Sequence, residues 1–574
     1  MKRGIALSVC IVIALSVVAV RSPYAQWRRN GNAVSGYESW ACLPAIATDE
    51  KGYSFVMWSD WREEDGLQIY GQRMNSDGHL LWAKDGVPIC AAPGISQRYA
   101  SIAIDWEDAA VVAWSDGRGH KGSIYAQRLD SEGTLNWPAE GIPVCDAPYE
   151  QGYARVVPVS SGGAIVVWLD RRGGRGYYDI YAQRLDKGGA CLWAHNGVCA
   201  YSGVNRDPMR IDVVSDGSDG VIIVWQRRVW APDQYGICAQ RINAEGRCLW
   251  GENGVVVCDA PGAQWRPVVA LVDRGAAIVA WYDMRNGSSD IYAQKISDAG
   301  GIVWDPDGMC VCAGAWFMQH PYVVPSGADE AIVAWSDRRS GNDGVYAQKL
   351  NCDGKLLWAP EGVALCEEPA RQGLAGIVSS PDGGAIAAWH DARFGDGSVF
   401  AQKVSADGGL LWGPGGASVC SAAETASNWC YDVCIAADSE AGAIIAWQDW
   451  RESIKDSIEI GRIYAMRMPD AAAFTTPTNA AASAFRLAQN FPNPFNPVTR
   501  IRYEIEAPAT VALRIYDVEG RLVRRLAGGY RAQGRHEELW DGRDGRGRAV
   551  ASGIYYYRLD AGSFTETRKM VLLR

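Results

Sequence analysis

The residues best suited to chemistry in this 574-residue chain are aspartate–arginine pairs that recur at one place in a repeated segment. Each pair reads Asp-x-Arg, and its aspartate follows a tryptophan by two residues. A guanidinium presents a planar fork of donors that binds carboxylates and carbonyl oxygens. Because the pair repeats, we interpret it as a scaffold contact at the junctions between repeats, with a ring of ligand-binding charges as the alternative. The pairs are Asp60/Arg62, Asp116/Arg118, Asp170/Arg172, Asp283/Arg285, Asp337/Arg339, Asp391/Arg393 and Asp449/Arg451, and the fourth repeat departs with Gln226 and Arg228.

Eight tryptophans lie outside the repeated framework and are the better candidates for ligand binding. An indole exposed beside Asp, Asn or Arg can stack on a sugar ring or anchor a protein partner. Seven of the eight fall in connections that an up-and-down strand order places on one face, although packing beneath loops is the alternative. The seven are Trp40, Trp61, Trp230, Trp265, Trp316, Trp429 and Trp450.

Signatures of catalysis are missing from the sequence. The six histidines are scattered, and neither a G-x-S-x-G elbow nor a P-loop is present. Carboxylates for glycoside cleavage are abundant, but their separation cannot be read from the sequence. We therefore predict a protein that binds a glycan or a protein, with no catalytic residue, metal or cofactor. The alternatives are a carbohydrate-active hydrolase or lyase, a quinoprotein-like enzyme, and a purely structural surface protein.

Sixteen cysteines raise the question of disulfides. Seven recur once per repeat, too far apart to bridge one another, and we interpret them as small buried hydrophobic residues. Candidate bridges join Cys42 to Cys430 or Cys434, and Cys191 to Cys248. The seven repeated cysteines are Cys90, Cys145, Cys199, Cys258, Cys312, Cys366 and Cys420.

The elements that position these residues follow from an internal period of 54 to 58 residues, marked by an apolar run ending in tryptophan. The period is seen at Trp58, Trp114, Trp168, Trp225, Trp281, Trp335, Trp389 and Trp447. Four strand-like runs fill each repeat, which we label a to d. In the third repeat they are Tyr153–Ser160, Ala164–Asp170, Asp179–Asp186 and Cys191–Ala200. Four strands per repeat predict an all-β fold, an eight-bladed β-propeller.

The last repeat lacks its fourth strand, and the missing piece lies near the start of the chain. The segment Trp27–Val34 resembles the fourth-strand segment that begins at Trp193 in another repeat. We therefore predict a ring closed by the N-terminal strand, which lies beside the strand around Tyr464. A linear β-solenoid is the alternative, but it does not require a repeat split between the two ends.

Short turns between strands c and d resemble two known repeat types. Leu185–Trp193 looks like the tryptophan-docking repeat of pyrroloquinoline-quinone dehydrogenases, which are eight-bladed propellers. Asp77 and Gly78 ahead of Trp82 are similar to the Asp-box of sialidases. Physically, the glycine permits a tight turn, and the tryptophan is expected to pack between adjacent blades.

The C-terminal segment 489–574 shows the pattern of a small immunoglobulin-like β-sandwich. Its motifs are Asn493–Pro497, Ile515–Arg521, Trp540–Gly542 and Ser552–Tyr555. They resemble the C-terminal sorting domain of type IX secretion cargo, and they are similar to the immunoglobulin-like domain of flagellar hook-capping proteins. The resemblance implies export across a Gram-negative outer membrane, with the secretion machinery as a partner. An accessory sandwich without a sorting role is the alternative.

Composition and the N-terminal segment predict where the protein is located. The basic start at Lys2 and Arg3, the apolar stretch Ile5–Val20 and the small Ala25 indicate a signal peptide over residues 1–25. The propeller is predicted over 26–468 and a linker over 469–488. A net charge of -10 argues against nucleic acid or an anionic membrane as the main partner. We expect a secreted or outer-surface protein, exported through the periplasm, with no membrane span after the signal is removed.

Overall fold

The computed structural model describes residues 27–36, 39–62, 66–90, 92, 95–118, 122–174, 176–203, 208–228, 234–273, 275–314, 319–327, 329–339, 341–393, 397–421, 430–451, 461–470, 485–487, 490, 493, 495–505, 509–531, 534–561 and 564–573. Every regular element in this part of the chain is a β-strand. None of the described residues belongs to a helix long and apolar enough to cross a membrane. The chain divides into two compact units, Met1–Phe474 and Thr475–Arg574. The predicted signal peptide lies outside the described residues.

Eight four-stranded antiparallel sheets make up the first unit, one for each repeat, as expected for the blades of a propeller. In strand order a, b, c, d, sheet 1 is Trp40–Thr48, Ser54–Trp61, Gln68–Met74 and Val87–Pro88; sheet 2 is Gln97–Ile104, Ala110–Asp116, Ser123–Leu129 and Ile142–Cys145; sheet 3 is Gln151–Pro158, Ala164–Asp170, Asp179–Leu185 and Val198–Tyr201; sheet 4 is Pro208–Ser215, Val221–Arg228, Tyr235–Ile242 and Val255–Cys258; sheet 5 is Gln264–Asp273, Ala276–Asp283, Asp290–Ile296 and Met309–Cys312; sheet 6 is Gln319–Pro325, Ala331–Asp337, Gly344–Leu350 and Val363–Cys366; sheet 7 is Gln372–Ser379, Ala385–Asp391, Ser398–Val404 and Ala417–Cys420; sheet 8 is Cys430–Ala437, Ala443–Asp449, Arg462–Met468 and Asn32–Ala33.

Strand b is almost entirely buried in each sheet because its residues face neighbouring sheets on both sides. In sheet 6 the whole of Ala331–Asp337 is buried, and it is apolar from Ala331 to Trp335. Continuous apolar runs of this kind are typical of strands covered on both faces. The aspartate that follows the tryptophan of strand b is therefore held in the protein interior.

The strands a contact one another in succession. Contacts join sheet 1 to sheet 2 and so on to sheet 8, and strand a of sheet 8 contacts strand a of sheet 1. In sheet 8 the fourth strand comes from the start of the chain, with Asn32 opposite Ala465 and Ala33 opposite Tyr464. Trp27 then donates its indole N–H to the carbonyl of Ser76 in sheet 1, at 2.9 Å.

The same tryptophan contact links sheets 1 to 7 in succession. The indole N–H of the tryptophan before strand d donates to a carbonyl in the c–d turn of the next sheet, and the ring covers a glycine of that turn. Trp82, for example, donates to Ser131, and a Cβ on Gly133 would lie 2.9 Å from its ring. The remaining donors and acceptors are Trp137 and Lys187, Trp193 and Ala244, Trp250 and Asp298, Trp304 and Cys352, and Trp358 and Ala406.

Strand d differs from its prediction. In sheet 3 it is Val198–Tyr201, whereas Cys191 only forms an isolated bridge to Leu185. Tyr201 lies opposite Ile180, the place that Cys145 and Cys258 occupy in their sheets. Cys199 is therefore not equivalent to the other repeated cysteines, and it is exposed.

The candidate disulfides are also wrong. Cys42, Cys430, Cys434, Cys191 and Cys248 are all free thiols in the structure. The nearest cysteine to Cys430 is Cys420, and Cys248 donates to the carbonyl of Cys199 instead of meeting Cys191. The spacing along the chain does not show which strands d and a become neighbours.

The second unit is a sandwich of two antiparallel sheets. One has the order Phe485–Leu487, Thr499–Ile505, Gly534–Trp540, and the other has the order Leu522–Arg531, Ala509–Tyr516, Gly553–Ala561, Phe564–Leu572. The short strand from Phe485 lies within the predicted linker. Buried Phe495 contacts the Trp540 ring at 5.5 Å, and its backbone bonds to Val571 and Leu573. This contact explains why the Asn-Pro-Phe-Asn-Pro motif accompanies the last strand.

Candidate ligand-binding face

The repeated aspartate–arginine pairs are buried networks. In sheet 5 the carboxylate of Asp283 is fully buried and accepts from the Trp281 indole at 2.9 Å and from Arg285 at 2.6 Å. Arg285 also donates to the carbonyl of Asp307 at 2.7 Å and lies 3.9 Å from the centre of the Tyr292 ring. The guanidinium thus joins strand b to strand c and to the turn before strand d. Its three hydrogen bonds all come from Nη2, and its side chain is only 17% exposed, which leaves little of it for a ligand.

Six other sheets repeat the aspartate–arginine pair, with nitrogen–oxygen distances of 2.5 to 2.8 Å between the paired side chains. The pairs are Asp60/Arg62, Asp116/Arg118, Asp170/Arg172, Asp337/Arg339, Asp391/Arg393 and Asp449/Arg451.

A thiol links six of the seven arginines to the preceding sheet. Arg285, for example, donates to the sulfur of Cys258 at 3.1 Å, and Cys258 ends strand d of sheet 4. Each aspartate–arginine pair lies within one sheet, and the thiol carries the contact across the junction, since Cys258 also donates to the carboxylate of Asp283 at 4.0 Å. The other arginines and cysteines in this contact are Arg118 and Cys90, Arg172 and Cys145, Arg339 and Cys312, Arg393 and Cys366, and Arg451 and Cys420.

Arg62 in sheet 1 differs from the prediction that it is one of seven equivalent copies. It keeps the bond to Asp60, at 2.8 Å, and its guanidinium lies 3.5 Å from the centre of the Tyr70 ring. The sheet before it is sheet 8, where the place of the repeated cysteine is taken by Ser35, which bonds to the backbone of Ile463. Arg62 therefore lacks the cysteine of the other six networks, because its neighbouring strand d comes from the start of the chain. Its side chain is only 11% exposed, so it is a framework residue and not a ligand contact.

Sheet 4 departs at a different residue from the one expected. Arg227, which lies opposite Gly236, takes the place that Asp60 takes opposite Gln68 in sheet 1. Gln226, which the sequence pattern assigned to the aspartate position, lies one residue before it. Arg227 is buried and pairs with Asp259 at 3.0 Å, so this sheet reverses the charge at the repeated position.

Buried thiols complete these networks without becoming reactive. Burial raises the pKa of Cys145 and of Cys258 to about 12, which keeps both thiols protonated at neutral pH. Cys420, Cys430 and Asp449 come within 4.8 Å of one another. Arg451 already donates to Cys420 and Asp449, so a cation occupies the place that a metal ion would need.

Trp40 and Trp61 form an exposed platform, here called the Trp pair. They lie opposite each other at the ends of strands a and b in sheet 1. Their ring centres are 6.4 Å apart, and the ring planes are nearly parallel, with an angle of 16° between them. Both indoles remain partly exposed, with 44% of Trp40 and 46% of Trp61 accessible. Two indoles held by paired strands provide a preformed surface on which a sugar ring or an apolar side chain can stack.

The other predicted tryptophans fall into two groups. Trp265 is half-buried and meets the rings of Tyr235 and Tyr282 edge-on, at 5.8 and 5.3 Å. Trp450 is half-buried just after strand b of sheet 8. Trp230, Trp316 and Trp429 lie outside the described residues. The structure therefore brings Trp40 and Trp61 together and places Trp265 in a separate aromatic cluster.

Strand a carries a feature that sequence reasoning missed. Near its start a bulge interrupts the pairing with strand b, as between Trp265 and Val268 in sheet 5. In six sheets, among the described residues, one bulge residue other than glycine has a positive φ of 49 to 58°. Such a backbone is strained for most residues and often marks functional sites. The six are Leu43, Tyr99, Tyr153, Arg210, Arg266 and Asp432.

Four consecutive bulges form what we call the bulge row: Tyr99, Tyr153, Arg210 and Arg266 of sheets 2 to 5. Their positions along the strands correspond to one another, and their chain spacing follows the repeat period. Aligning the repeats on the glutamine two residues before Tyr99, Tyr153 and Arg266 would have revealed a variable position between constant ones.

Comparison with known proteins identifies part of the tail. A family model of the FlgD Ig-like domain matches residues 496–563. No curated protein matches the chain.

Solved structures resemble the chain weakly. The α-L-arabinanase of Penicillium chrysogenum, in complex with arabinobiose, is 12% identical, with a TM-score of 0.31, over 56% of this chain and 98% of that one. The endo-arabinase of Bacteroides thetaiotaomicron is 12% identical, with a TM-score of 0.24, over 48% and 98%. The polysaccharide lyase Uly1 is 9% identical, with a TM-score of 0.38, over 79% and 95%. Likenesses at this level carry no argument about activity.

Proposed function

We propose that this chain is an exported β-propeller of eight blades, closed by its N-terminal strand, that binds a glycan through the face carrying the Trp pair. The observation that carries the proposal is the Trp pair itself. Two nearly parallel indoles remain almost half exposed at the ends of two paired strands. Exposing so much aromatic surface costs free energy in water, and a stacked ligand would recover it.

The repeated residues support the same reading by elimination. The framework arginines are engaged inside the sheets, and the buried thiols are held protonated. Ligand contacts therefore fall to residues that break the repeat, and Trp40 and Trp61 are two of these. A protein partner would use the same platform, and a structural surface role without a ligand remains the simplest competing proposal.

The test measures binding of the full chain to a glycan array, followed by calorimetry on the best ligand. Trp40→Ala and Trp61→Ala are each expected to lower affinity at least tenfold, about 1.4 kcal/mol. Trp106→Ala is the matched control, because Trp106 is 66% exposed in the a–b turn of sheet 2, at the opposite end of the strands. Equal losses in all three variants, or none in the first two, would contradict the proposal.

Glycan cleavage is a second candidate, and Asp212 favours it. This carboxyl lies on strand a, two residues after the bulge of sheet 4, and burial raises its pKa. A carboxyl with a raised pKa can act as a general acid. Asp212→Asn would then abolish release of reducing ends from a bound polysaccharide while leaving binding intact. A wild-type protein that releases no reducing ends from any bound ligand removes this candidate.

We further propose that the tail directs export and engages the secretion machinery, leaving the propeller outside the cell. The match of residues 496–563 to the FlgD Ig-like domain supports the sandwich, and the motifs around Phe495 and Trp540 support the sorting role. Without residues 489–574, we expect the protein to remain in the periplasm instead of crossing the outer membrane. Normal release of the truncated protein would leave the tail an accessory domain.

A further inference from the structure

The bulge row changes character along its length, from two tyrosines to two arginines. Tyr99 and Tyr153 occupy the same place in adjacent sheets, and their rings stack with centres 4.8 Å apart. This distance shows how closely side chains at the bulge approach between neighbouring sheets. Arg210 and Arg266 hold that place in the next two sheets, and the charge of Arg210 acts on Arg266.

Backbone contacts confirm that sheets 4 and 5 are in the same relation. The amide of Val269 donates to the carboxylate of Asp212 at 3.0 Å, as the amide of Val156 donates to Ser101 between sheets 2 and 3, at 3.2 Å. Asp212 lies two residues after Arg210, and Ser101 lies two after Tyr99. The bulges of sheets 4 and 5 are therefore aligned as those of sheets 2 and 3 are.

This arrangement places two positive charges near each other. Arg210 forms no salt bridge with any described residue, in contrast to the framework arginines. Burial and the neighbouring charge of Arg210 both lower the pKa of Arg266. The carboxyl of Asp212 already accepts from the backbone amide of Val269. Burial also raises its pKa, although the charge of Arg155 opposes the rise. Two like charges held together by strained strands are stabilised when an anion binds between them.

Aromatic residues surround the two arginines. The charge of Arg210 acts on Tyr153, and the charge of Arg266 acts on both Tyr282 and Tyr322. Tyr99 and Tyr153 remain 47% and 41% exposed, which leaves ring surface for stacking. The bulge row thus has aromatic rings in sheets 2 and 3 and guanidinium groups in sheets 4 and 5. This order fits a ligand with a sugar ring and an attached anion.

We propose that the bulge row binds an anionic sugar of the glycan, with Arg210 and Arg266 on its carboxylate or sulfate group and Tyr99 and Tyr153 against adjacent rings. This inference rests on the proposed function, since it names the class of glycan that the face selects. Arginine favours both anions because its planar fork donates two parallel hydrogen bonds.

The experiment titrates the full chain with three probes: oligogalacturonate, its methyl-esterified form and a sulfated galactan oligosaccharide. Wild type is expected to bind at least one charged probe tenfold or more tightly than the neutral ester, and affinity should fall with added salt. A preference for oligogalacturonate identifies a carboxylate ligand, and a preference for the sulfated probe identifies a sulfate ligand. Equal affinity for all three probes, or no binding of either charged probe, overturns the proposal.

Variants separate this proposal from the Trp pair. Arg210→Ala and Arg266→Ala should each weaken the charged probe about tenfold and leave the neutral ester unchanged, whereas lysine at either place should restore part of the loss. Arg247→Ala, in the c–d turn at the other end of sheet 4, is the control. If Trp40→Ala weakens every probe while the arginine variants do nothing, the glycan face stands and the anionic subsite fails. If the arginine variants act and Trp40→Ala does not, the subsite stands and the Trp pair fails.

Discussion

Arginine has two environments in this protein, and the difference decides its role. Arg285 donates to a fully buried carboxylate, to a carbonyl and across a tyrosine ring, so its charge is neutralised inside the fold. Arg210 lies at a strained bulge, exposed, beside a second arginine. The first arrangement stabilises the sheet. The second holds two like charges near each other, an arrangement that attracts a ligand of the opposite sign.

His390 gives a residue-scale prediction of pH dependence. It lies on strand b of sheet 7, and burial lowers its pKa to about 4, although a bond with the Cys430 backbone opposes the shift. Because the unfolded chain takes up this proton near pH 6.5 and the folded chain does not until about pH 4, stability is lost as the pH falls between these values. The slope due to His390 should be about 1.4 kcal/mol per pH unit.

Urea unfolding at pH 7, 6 and 5 checks this. His390→Gln, which keeps a donor but cannot take up a proton, should flatten the fall in the free energy of unfolding. His195→Gln, at an exposed site before strand d of sheet 3, should leave it unchanged. Parallel pH curves for wild type and His390→Gln would show that the histidine takes up its proton equally in the folded and unfolded states, which would contradict the lowered pKa.

At the scale of the element, each sheet depends on a glycine that lets strand d begin beneath the tryptophan of strand b. Gly308 has a φ of 84°, and a Cβ there would lie 2.5 Å from the Trp281 ring and 2.9 Å from the carbonyl of Ala293. Neither can move easily, because Trp281 is fully buried and Ala293 belongs to strand c. The turn and the core are thus specified together.

Gly308→Ala tests this coupling against a matched glycine. Gly287, in the b–c loop of the same sheet, has a φ of 79° with no atom within 4 Å of its would-be Cβ. Both alanines suffer the left-handed backbone, but only the first also meets the indole. Gly308→Ala should therefore lower the free energy of unfolding by about 1–3 kcal/mol more than Gly287→Ala. Equal losses would mean that the ring moves aside at little cost.

At the scale of the whole molecule, the proposed ring depends on ten residues at its start. Residues 27–36 supply both the fourth strand of sheet 8 and the Trp27 contact with sheet 1. Without them the strand Arg462–Met468 has an unpaired edge, and such edges promote aggregation. Both features follow from proposed closure, because a solenoid would leave its terminal strands unconnected.

A protein that begins at Ser39 is the test. We expect a lower melting temperature and soluble oligomers by size-exclusion chromatography, with recovery when a synthetic peptide of residues 27–36 is added. The same peptide with proline at both Asn32 and Ala33 should not rescue, because proline cannot donate to the ladder. Unchanged melting without the segment would refute closure by this strand.

The amino-acid sequence by itself determined the all-β class, the number of repeats and the tryptophans that join them. Those features follow from alternation and spacing along one chain, and strand b of the third repeat was predicted to the residue. Spacing was less reliable where a segment turns early, as at Cys191, or where one residue shifts the register, as at Arg227. It also failed to single out Arg62, whose neighbouring strand d carries Ser35 where the other repeats have cysteine.

Only the tertiary structure decided which side chains meet between sheets. Tyr99 and Tyr153 are 54 residues apart in the chain, yet their rings stack, and the same lateral packing places Arg266 beside Arg210. The physical reason is that a bulge with positive φ turns its side chain out of the alternating pattern. Neither the direction of that turn nor the neighbour that it meets is written in the period of the repeat.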